Sequence, residues 1–230
     1  MRTNPLLLPI VLAQGMWLRS TLELAAPAAG PTGGTVGDPS GPPVRVGILG
    51  ESTAAGCGVD THDEGFSGCL ARELAARTGR PVGWEAVGQF GATSSRIRHR
   101  LLPRLGGDLD VAVLLAGAND VLTGRTPEHW RDNLVAILDE LAGRAGRVVV
   151  SGVPPFAYVP ALPAALGRYL GERAAAFDEV SRRVCAGRAR TTWISIAVLP
   201  GPDFFAGDRF HPSASGYRRW ARAVADELTH

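Results

Sequence analysis

The chain has 230 residues, of which 45% are hydrophobic and 20% are charged. This composition is ordinary for a globular protein and excludes disorder over most of the length, and the length suits one well-buried α/β core. The net charge is only +2, and the 24 basic residues, all of them arginine, form no run interleaved with aromatic residues. We therefore expect no nucleic-acid partner.

The first 25 residues form an apolar N-terminal segment. Its hydrophobic run at residues 6–13 is too short to span a bilayer, which takes roughly 20 apolar residues. Two interpretations stay open: a signal peptide, or an apolar helix that docks on the domain or touches a membrane surface. We favour the second, and with it a cytoplasmic or membrane-associated location, with secretion as the alternative. Residues 26–43, rich in Pro, Gly and Ala, are predicted to be a linker.

From residue 44 to residue 230, short apolar runs alternate with helical patterns and predict one domain. Five runs predict strands, at residues 44–49, 82–87, 111–115, 147–150 and 193–198. The helical patterns comprise one that ends at Arg77 and others at residues 95–105, 130–141, 164–184 and 217–228. This alternation favours a mainly parallel, five-stranded sheet between two helical layers, a three-layer α/β/α sandwich. In such folds the carboxyl ends of the strands share one edge, where ligands bind.

Polar, glycine-containing clusters follow the first three predicted strands. Ser52 stands in the turn after the first strand, where its hydroxyl can act as a nucleophile if a base lies close by. Gly91 follows the second strand, with Gly88 as the alternative, and a glycine N–H there can serve as an oxyanion donor. Asn119 follows the third strand and can aim its amide at the same position. Taken singly, each cluster is also explained as a helix cap or a turn.

A fourth cluster, Asp208 and His211, precedes the last predicted helix. An Asp three residues before a His in a turn can place its carboxylate against Nδ1 and leave Nε2 free to accept a proton. These are the orienting and base roles of a catalytic triad. A histidine beside a helix start more often has a structural role, so this cluster alone does not decide the function.

Together the four clusters resemble the SGNH/GDSL hydrolase superfamily, which carries a Gly-Asp-Ser near the N-terminus, then a Gly, a Gly-x-Asn-Asp and a C-terminal Asp-x-x-His. Here these motifs stand at residues 50–52, Gly91, 117–120 and 208–211. The resemblance extends from about residue 44 to residue 228. Glu51 replaces the Asp of the first motif, which puts in doubt mainly the local hydrogen bonding beside the nucleophile.

The resemblance implies a flavodoxin-like fold and a serine esterase that works through an acyl-enzyme intermediate, without a metal or other cofactor. Ser52 is then the nucleophile, His211 its base and Asp208 the group that orients His211. The oxyanion hole consists of the Ser52 N–H, the Gly91 N–H and the Asn119 side chain.

The substrate is expected to be a small-molecule or lipid ester. Residues 152–163 form an apolar, proline-stiffened loop after the fourth strand, which lines an acyl-chain groove or packs on its own domain. Thioesterase and carbohydrate deacetylase activities occur in similar family members, and a catalytically silent ligand-binding member stays open. A nucleotide-binding domain is disfavoured, because the first turn has neither a P-loop lysine nor a G-x-G-x-x-G pattern.

The three cysteines, Cys57, Cys69 and Cys185, are an odd number without C-x-x-C spacing. They suggest neither a disulfide scaffold nor a zinc site. We expect buried free thiols, with a Cys57–Cys69 bridge left open because sequence gives no distance between the two.

Overall fold

The computed structural model of the chain describes residues 8–38, 41–196, 201 and 203–229. The strands within these ranges are β1 (Gly33–Val36), β2 (Val44–Gly50), β3 (Val82–Gly88), β4 (Leu109–Leu115), β5 (Ala145–Ser151) and β6 (Thr191–Ile194). They form one sheet in the order β1-β3-β2-β4-β5-β6. The pairings are parallel except between β1 and β3, which run antiparallel.

Helices cover both faces of this sheet. They are α1 (Leu8–Thr21), α2 (Phe66–Thr78), α3 (Ser94–Arg96), α4 (Ala118–Leu122), α5 (Pro127–Ala142), α6 (Ala164–Ala186) and α7 (Ala214–Thr229). Side chains of a strand alternate between faces, and in β4 Leu114 packs in the same cluster as α5 and α6, whereas Val113 packs with α2 and α7. The burial of both faces explains why β4 is apolar at nearly every position. The predicted three-layer α/β/α architecture is confirmed.

The prediction of five strands is wrong by one strand, because β1 lies inside the stretch that the sequence predicts to be a linker. Its Gly33 and Gly34 pack closely on Trp84 of β3: a Cβ at Gly33 would lie 3.0 Å from the Trp84 carbonyl oxygen. The glycines that suggest a linker in the sequence thus allow the edge strand to approach a bulky neighbour. Strand pairing depends on that contact, which a sequence pattern does not show.

Two other predicted elements differ in detail. The helix predicted at residues 95–105 is a succession of α3, a π-helical turn (Ile97–Leu101) and a 3₁₀ turn (Leu102–Arg104), since Pro103 supplies no N–H for a regular helix. The last strand begins and ends earlier than predicted, at Thr191–Ile194. The predicted strand's final residues, 197 and 198, lie outside the described residues.

The N-terminal helix α1 contacts the domain through α6. The Gln14 side-chain carbonyl accepts a hydrogen bond from the Leu166 N–H at 3.0 Å, and Val11 is buried. Within the described ranges, no helix combines the length and apolar character needed to cross a membrane.

The strand register brings the predicted clusters to one edge. Gly50 at the end of β2 pairs with Gly88 of β3 on one side and with Leu115 of β4 on the other. The chain after each strand therefore emerges at the same level. The three cysteines carry free, buried thiols, so the Cys57–Cys69 bridge that the sequence left open is not formed.

Candidate active site

Ser52, His211 and Asp208 form a continuous hydrogen-bonded chain. The Ser52 Oγ lies 3.1 Å from His211 Nε2, and His211 Nδ1 lies 2.6 Å from Asp208 Oδ2. The His211 ring is buried, with the aromatic rings of Phe210 and Phe90 beside it at centroid distances of 5.2 and 6.2 Å. This is the arrangement in which an imidazole can accept a proton from a serine hydroxyl while a carboxylate orients it.

The turn at residues 208–211 fixes the carboxylate of Asp208. Its Oδ1 accepts the N–H groups of Phe210 and His211, each at 2.9 Å, and Arg209 between them takes a left-handed φ of 58°. Its Oδ2 also accepts the Ala25 N–H at 3.0 Å, from the N-terminal segment. Burial by itself raises the pKa of Asp208, but the hydrogen bonds from Ala25, His211 and Phe210 outweigh it and hold the pKa below its usual value. The carboxylate is thus kept ionised beside the imidazole.

The two glycines after β3 occupy different environments. A Cβ at Gly88 would lie 2.3 Å from the backbone nitrogen of Ala55, so Gly88 allows the chain beyond Ser52 to pack on β3. Gly91 has a left-handed φ of 72° and no heavy atom within 4 Å of a built Cβ. Gly91 is therefore the glycine at the open end of this turn, whereas Gly88 is packed, and the assignment of Gly91 as an oxyanion donor stays a prediction.

Asn119 lies in the first turn of α4, and Glu51 holds its side chain. The Asn119 Nδ2 donates to Glu51 Oε2 at 2.7 Å, and the same carboxylate accepts the N–H groups of Ala118 and Asn119, each at 3.1 Å. An amide nitrogen carries two hydrogens, so the contact with Glu51 uses only one of them. The sequence pattern indicated no role for Glu51 beyond local hydrogen bonding, whereas in the structure its carboxylate orients the Asn119 side chain.

Burial dominates the titration of Glu51. Burial raises the pKa of Glu51 from 4.5 to about 7. The negative charge of the nearby Asp120 also raises this pKa, whereas the hydrogen bonds from Asn119 and Ala118 lower it. Asp120 is itself buried and accepts the Ser94 N–H at 2.7 Å and the Ser94 hydroxyl at 2.6 Å. Asp120 therefore connects the turn after β3 to the turn after β4, a link that the sequence does not reveal because nothing in the spacing relates Ser94 to Asp120.

A small apolar pocket opens beside the Ser52 hydroxyl. Its volume is about 50 Å³. Part of its wall comes from the predicted loop at residues 152–163, and aromatic side chains near His211 supply much of the rest. The loop residues and these aromatic residues are Pro154, Pro155, Phe156, Val159, Phe204, Phe205 and Phe210. Among the described residues, no group of three or more His, Cys, Asp or Glu side chains gathers that could hold a metal ion.

Comparisons with known proteins agree with this geometry. Residues 48–219 match the model of the GDSL-like lipase/acylhydrolase family. Over 204 residues the chain is 30% identical to the GDSL-like esterase Rv1075c of Mycobacterium tuberculosis (strain ATCC 25618 / H37Rv), an alignment that covers 81% of this chain and 63% of that protein. The chain thus spans less than two thirds of the length of this relative.

Two solved structures share the fold at low sequence identity. The lipase/acylhydrolase from Enterococcus faecalis is 22% identical, with a TM-score of 0.61 and coverage of 80% of this chain and 95% of that one. Est24, a carbohydrate acetylesterase from Sinorhizobium meliloti, is 18% identical, with a TM-score of 0.61 and coverage of 80% and 97%. The resemblance that the motifs indicated is confirmed: the chain belongs to the GDSL-like lipase/acylhydrolase family.

Proposed function

We propose that the chain hydrolyses carboxylic esters through an acyl-enzyme intermediate on Ser52. The observation that carries the proposal is the hydrogen-bonded chain from Ser52 to His211 at 3.1 Å and from His211 to Asp208 at 2.6 Å. A serine hydroxyl is a weak nucleophile without an adjacent base, and here the base is in contact and oriented. The match to a lipase/acylhydrolase family and to a GDSL-like esterase supports the same reaction class.

In this mechanism His211 accepts the Ser52 proton while Oγ attacks the ester carbonyl carbon. The N–H groups of Ser52 and Gly91 and the side chain of Asn119 stabilise the oxyanion of the tetrahedral intermediate. Asp208 stabilises the imidazolium, which then gives its proton to the leaving alcohol. Water, deprotonated by His211, attacks the acyl-enzyme and releases the acid and free Ser52.

Acyl or lipid-like esters are the favoured substrates. The pocket beside Ser52 is lined by proline, valine and phenylalanine side chains, which favour apolar groups over a hydroxyl-rich sugar because they offer few hydrogen-bond partners. Carbohydrate deacetylation, as named for the Sinorhizobium meliloti relative, and thioester hydrolysis are the alternatives. A silent ligand-binding protein is disfavoured, because binding alone requires no oriented Ser-His-Asp chain.

The N-terminal segment adds exposed apolar side chains to the surface, including Leu12, Met16 and Trp17. They support the prediction that this segment touches a membrane or another lipid surface. Co-sedimentation with phospholipid vesicles would test that contact.

The activity is tested with a panel of p-nitrophenyl esters, acetyl thioesters and acetylated sugars, run on the wild type beside Ser52→Ala. We expect ester turnover by the wild type and none above background by the folded variant, with fluorophosphonate labelling of the wild type only. Residual hydrolysis near the wild-type rate in Ser52→Ala would refute the assignment. A wild type that folds, binds no fluorophosphonate and turns over no ester would support the silent alternative.

A further inference from the structure

A second, larger cavity lies on the same edge of the sheet, between α1, α4 and α6. It is an open groove of about 680 Å³. Most of its lining is apolar, and the part from α1 repeats at helical spacing, so one face of α1 forms a wall of the groove. Representative lining residues are Val11, Gly15 and Leu18 of α1, Val121 of α4, and Leu166 and Leu170 of α6.

This groove reaches the proposed catalytic residues. Asn119, the proposed oxyanion donor, is one of its lining residues, as are Phe90 and Phe210. Both phenylalanine rings lie beside the His211 ring, at 6.2 and 5.2 Å between centroids. Phe210 also lines the small pocket beside Ser52. The groove and the pocket therefore share Phe210 as a common wall beside His211.

The two cavities differ in what they can hold. The pocket beside Ser52 is small, at about 50 Å³. The groove is more than ten times larger, at about 680 Å³. The groove therefore offers the larger space for an extended alkyl chain attached to a carbonyl at Ser52.

Two hydrogen bonds attach the N-terminal segment to the domain. Gln14 accepts the Leu166 N–H at 3.0 Å, and beyond the end of α1 the Ala25 N–H donates to Asp208 at 3.0 Å. The N-terminal segment thus contacts both the opposite wall and the carboxylate of the triad. It lies outside residues 48–219, which match the family model.

From these contacts we propose that the N-terminal segment completes the substrate site. The groove between α1, α4 and α6 binds the long alkyl chain of an ester whose carbonyl lies at Ser52. This inference rests on the proposed function and specifies its substrate as an ester with an extended alkyl chain. Arg19 and Arg173 also line the groove, and their charge disfavours a cationic group on that chain.

Gly15 offers a direct test, because a Cβ built there meets no heavy atom within 4 Å. Gly15→Phe adds a ring at a lining position of the groove where the Cβ itself meets no clash, and without loss of helix propensity. Ala13→Phe is the matched control: it adds the same ring to the same helix, at an exposed position that does not line the groove. The quantity to measure is the ratio of kcat/KM for p-nitrophenyl dodecanoate to kcat/KM for p-nitrophenyl acetate.

Each methylene removed from an apolar site lowers affinity about fourfold. A ring that displaces two or three methylenes should therefore lower the dodecanoate-to-acetate ratio about 15- to 60-fold in Gly15→Phe, with no change in Ala13→Phe. An unchanged ratio in Gly15→Phe, or an equal fall in both variants, would overturn the proposal.

A binding measurement separates the groove from the chemistry. Calorimetric titration of dodecanoate into Ser52→Ala, and into Ser52→Ala combined with Gly15→Phe, needs no turnover. If Ser52→Ala binds dodecanoate and the double variant binds it at least tenfold more weakly, the groove is supported even if the wild type hydrolyses no ester. Equal binding by the two, or no binding by Ser52→Ala, refutes the groove while ester hydrolysis by the wild type can still stand.

Discussion

The Glu51 carboxylate accepts a hydrogen bond from the Asn119 side-chain amide at 2.7 Å. The same carboxylate also accepts the two N–H groups at the start of α4. Glu51 directly precedes Ser52, so one buried side chain connects the proposed nucleophile to the proposed oxyanion donor. The position of Asn119 relative to Ser52 therefore depends on Glu51 as well as on the strands.

Replacing the carboxylate should change how stability depends on pH. Burial raises the pKa of Glu51 from 4.5 to about 7, so between these values Glu51 is charged in the unfolded chain and largely neutral in the folded one. Its contribution to the free energy of unfolding is full below pH 4.5 and lost as the pH rises through about 7, a change of about 3 kcal/mol. The stability of the wild type relative to Glu51→Gln should fall over this range.

Urea unfolding of both proteins at several pH values between 4 and 8 measures the difference between their free energies of unfolding. Groups that titrate equally in both proteins cancel in this difference. A wild-type advantage that stays constant with pH, or grows as the pH rises, would contradict the raised pKa of Glu51.

Loss of the Asn119 amide should slow catalysis more than it weakens binding. In Asn119→Ala we expect kcat for p-nitrophenyl acetate to fall about 10²- to 10³-fold, the usual effect of removing one oxyanion donor, with a smaller change in KM. Asn133→Ala is the control, because that amide donates to the His129 carbonyl within α5 and has no part in the site. An unchanged kcat in Asn119→Ala would remove Asn119 from the oxyanion hole.

The two glycines after β3 should differ in their tolerance of a side chain. Gly88→Ala puts a Cβ 2.3 Å from the Ala55 backbone nitrogen and should be the more destabilising. Gly91→Ala puts its Cβ in open space, so only the left-handed φ at this position opposes the substitution. The expected loss of stability is about 1–2 kcal/mol. Urea midpoints of the two variants test the order, and the reverse order would show that Gly91 is the packed glycine.

The hydrophobic pattern alone is sufficient to identify the inner strands of the sheet. The apolar runs at β2, β4 and β5 identify strands because a parallel strand buried on both faces is apolar along most of its length. β1 carries no such signal: it is an edge strand of four residues, two of them glycine, whose place depends on Trp84. The Glu51–Asn119 contact and the groove along α1 likewise join residues that no local spacing relates.

By itself, the sequence determined that the clusters around Ser52, Gly91 and Asn119 lie at one edge of a parallel sheet, because alternating strands and helices bring all strand ends to that edge. It also determined the Asp208–His211 pair, since three residues of a turn suffice to join those side chains. Only the tertiary structure decided that His211 meets Ser52 across 159 residues of chain, and that the N-terminal segment contacts Asp208. Contacts between distant segments depend on how whole layers pack, and local spacing carries no information about that packing.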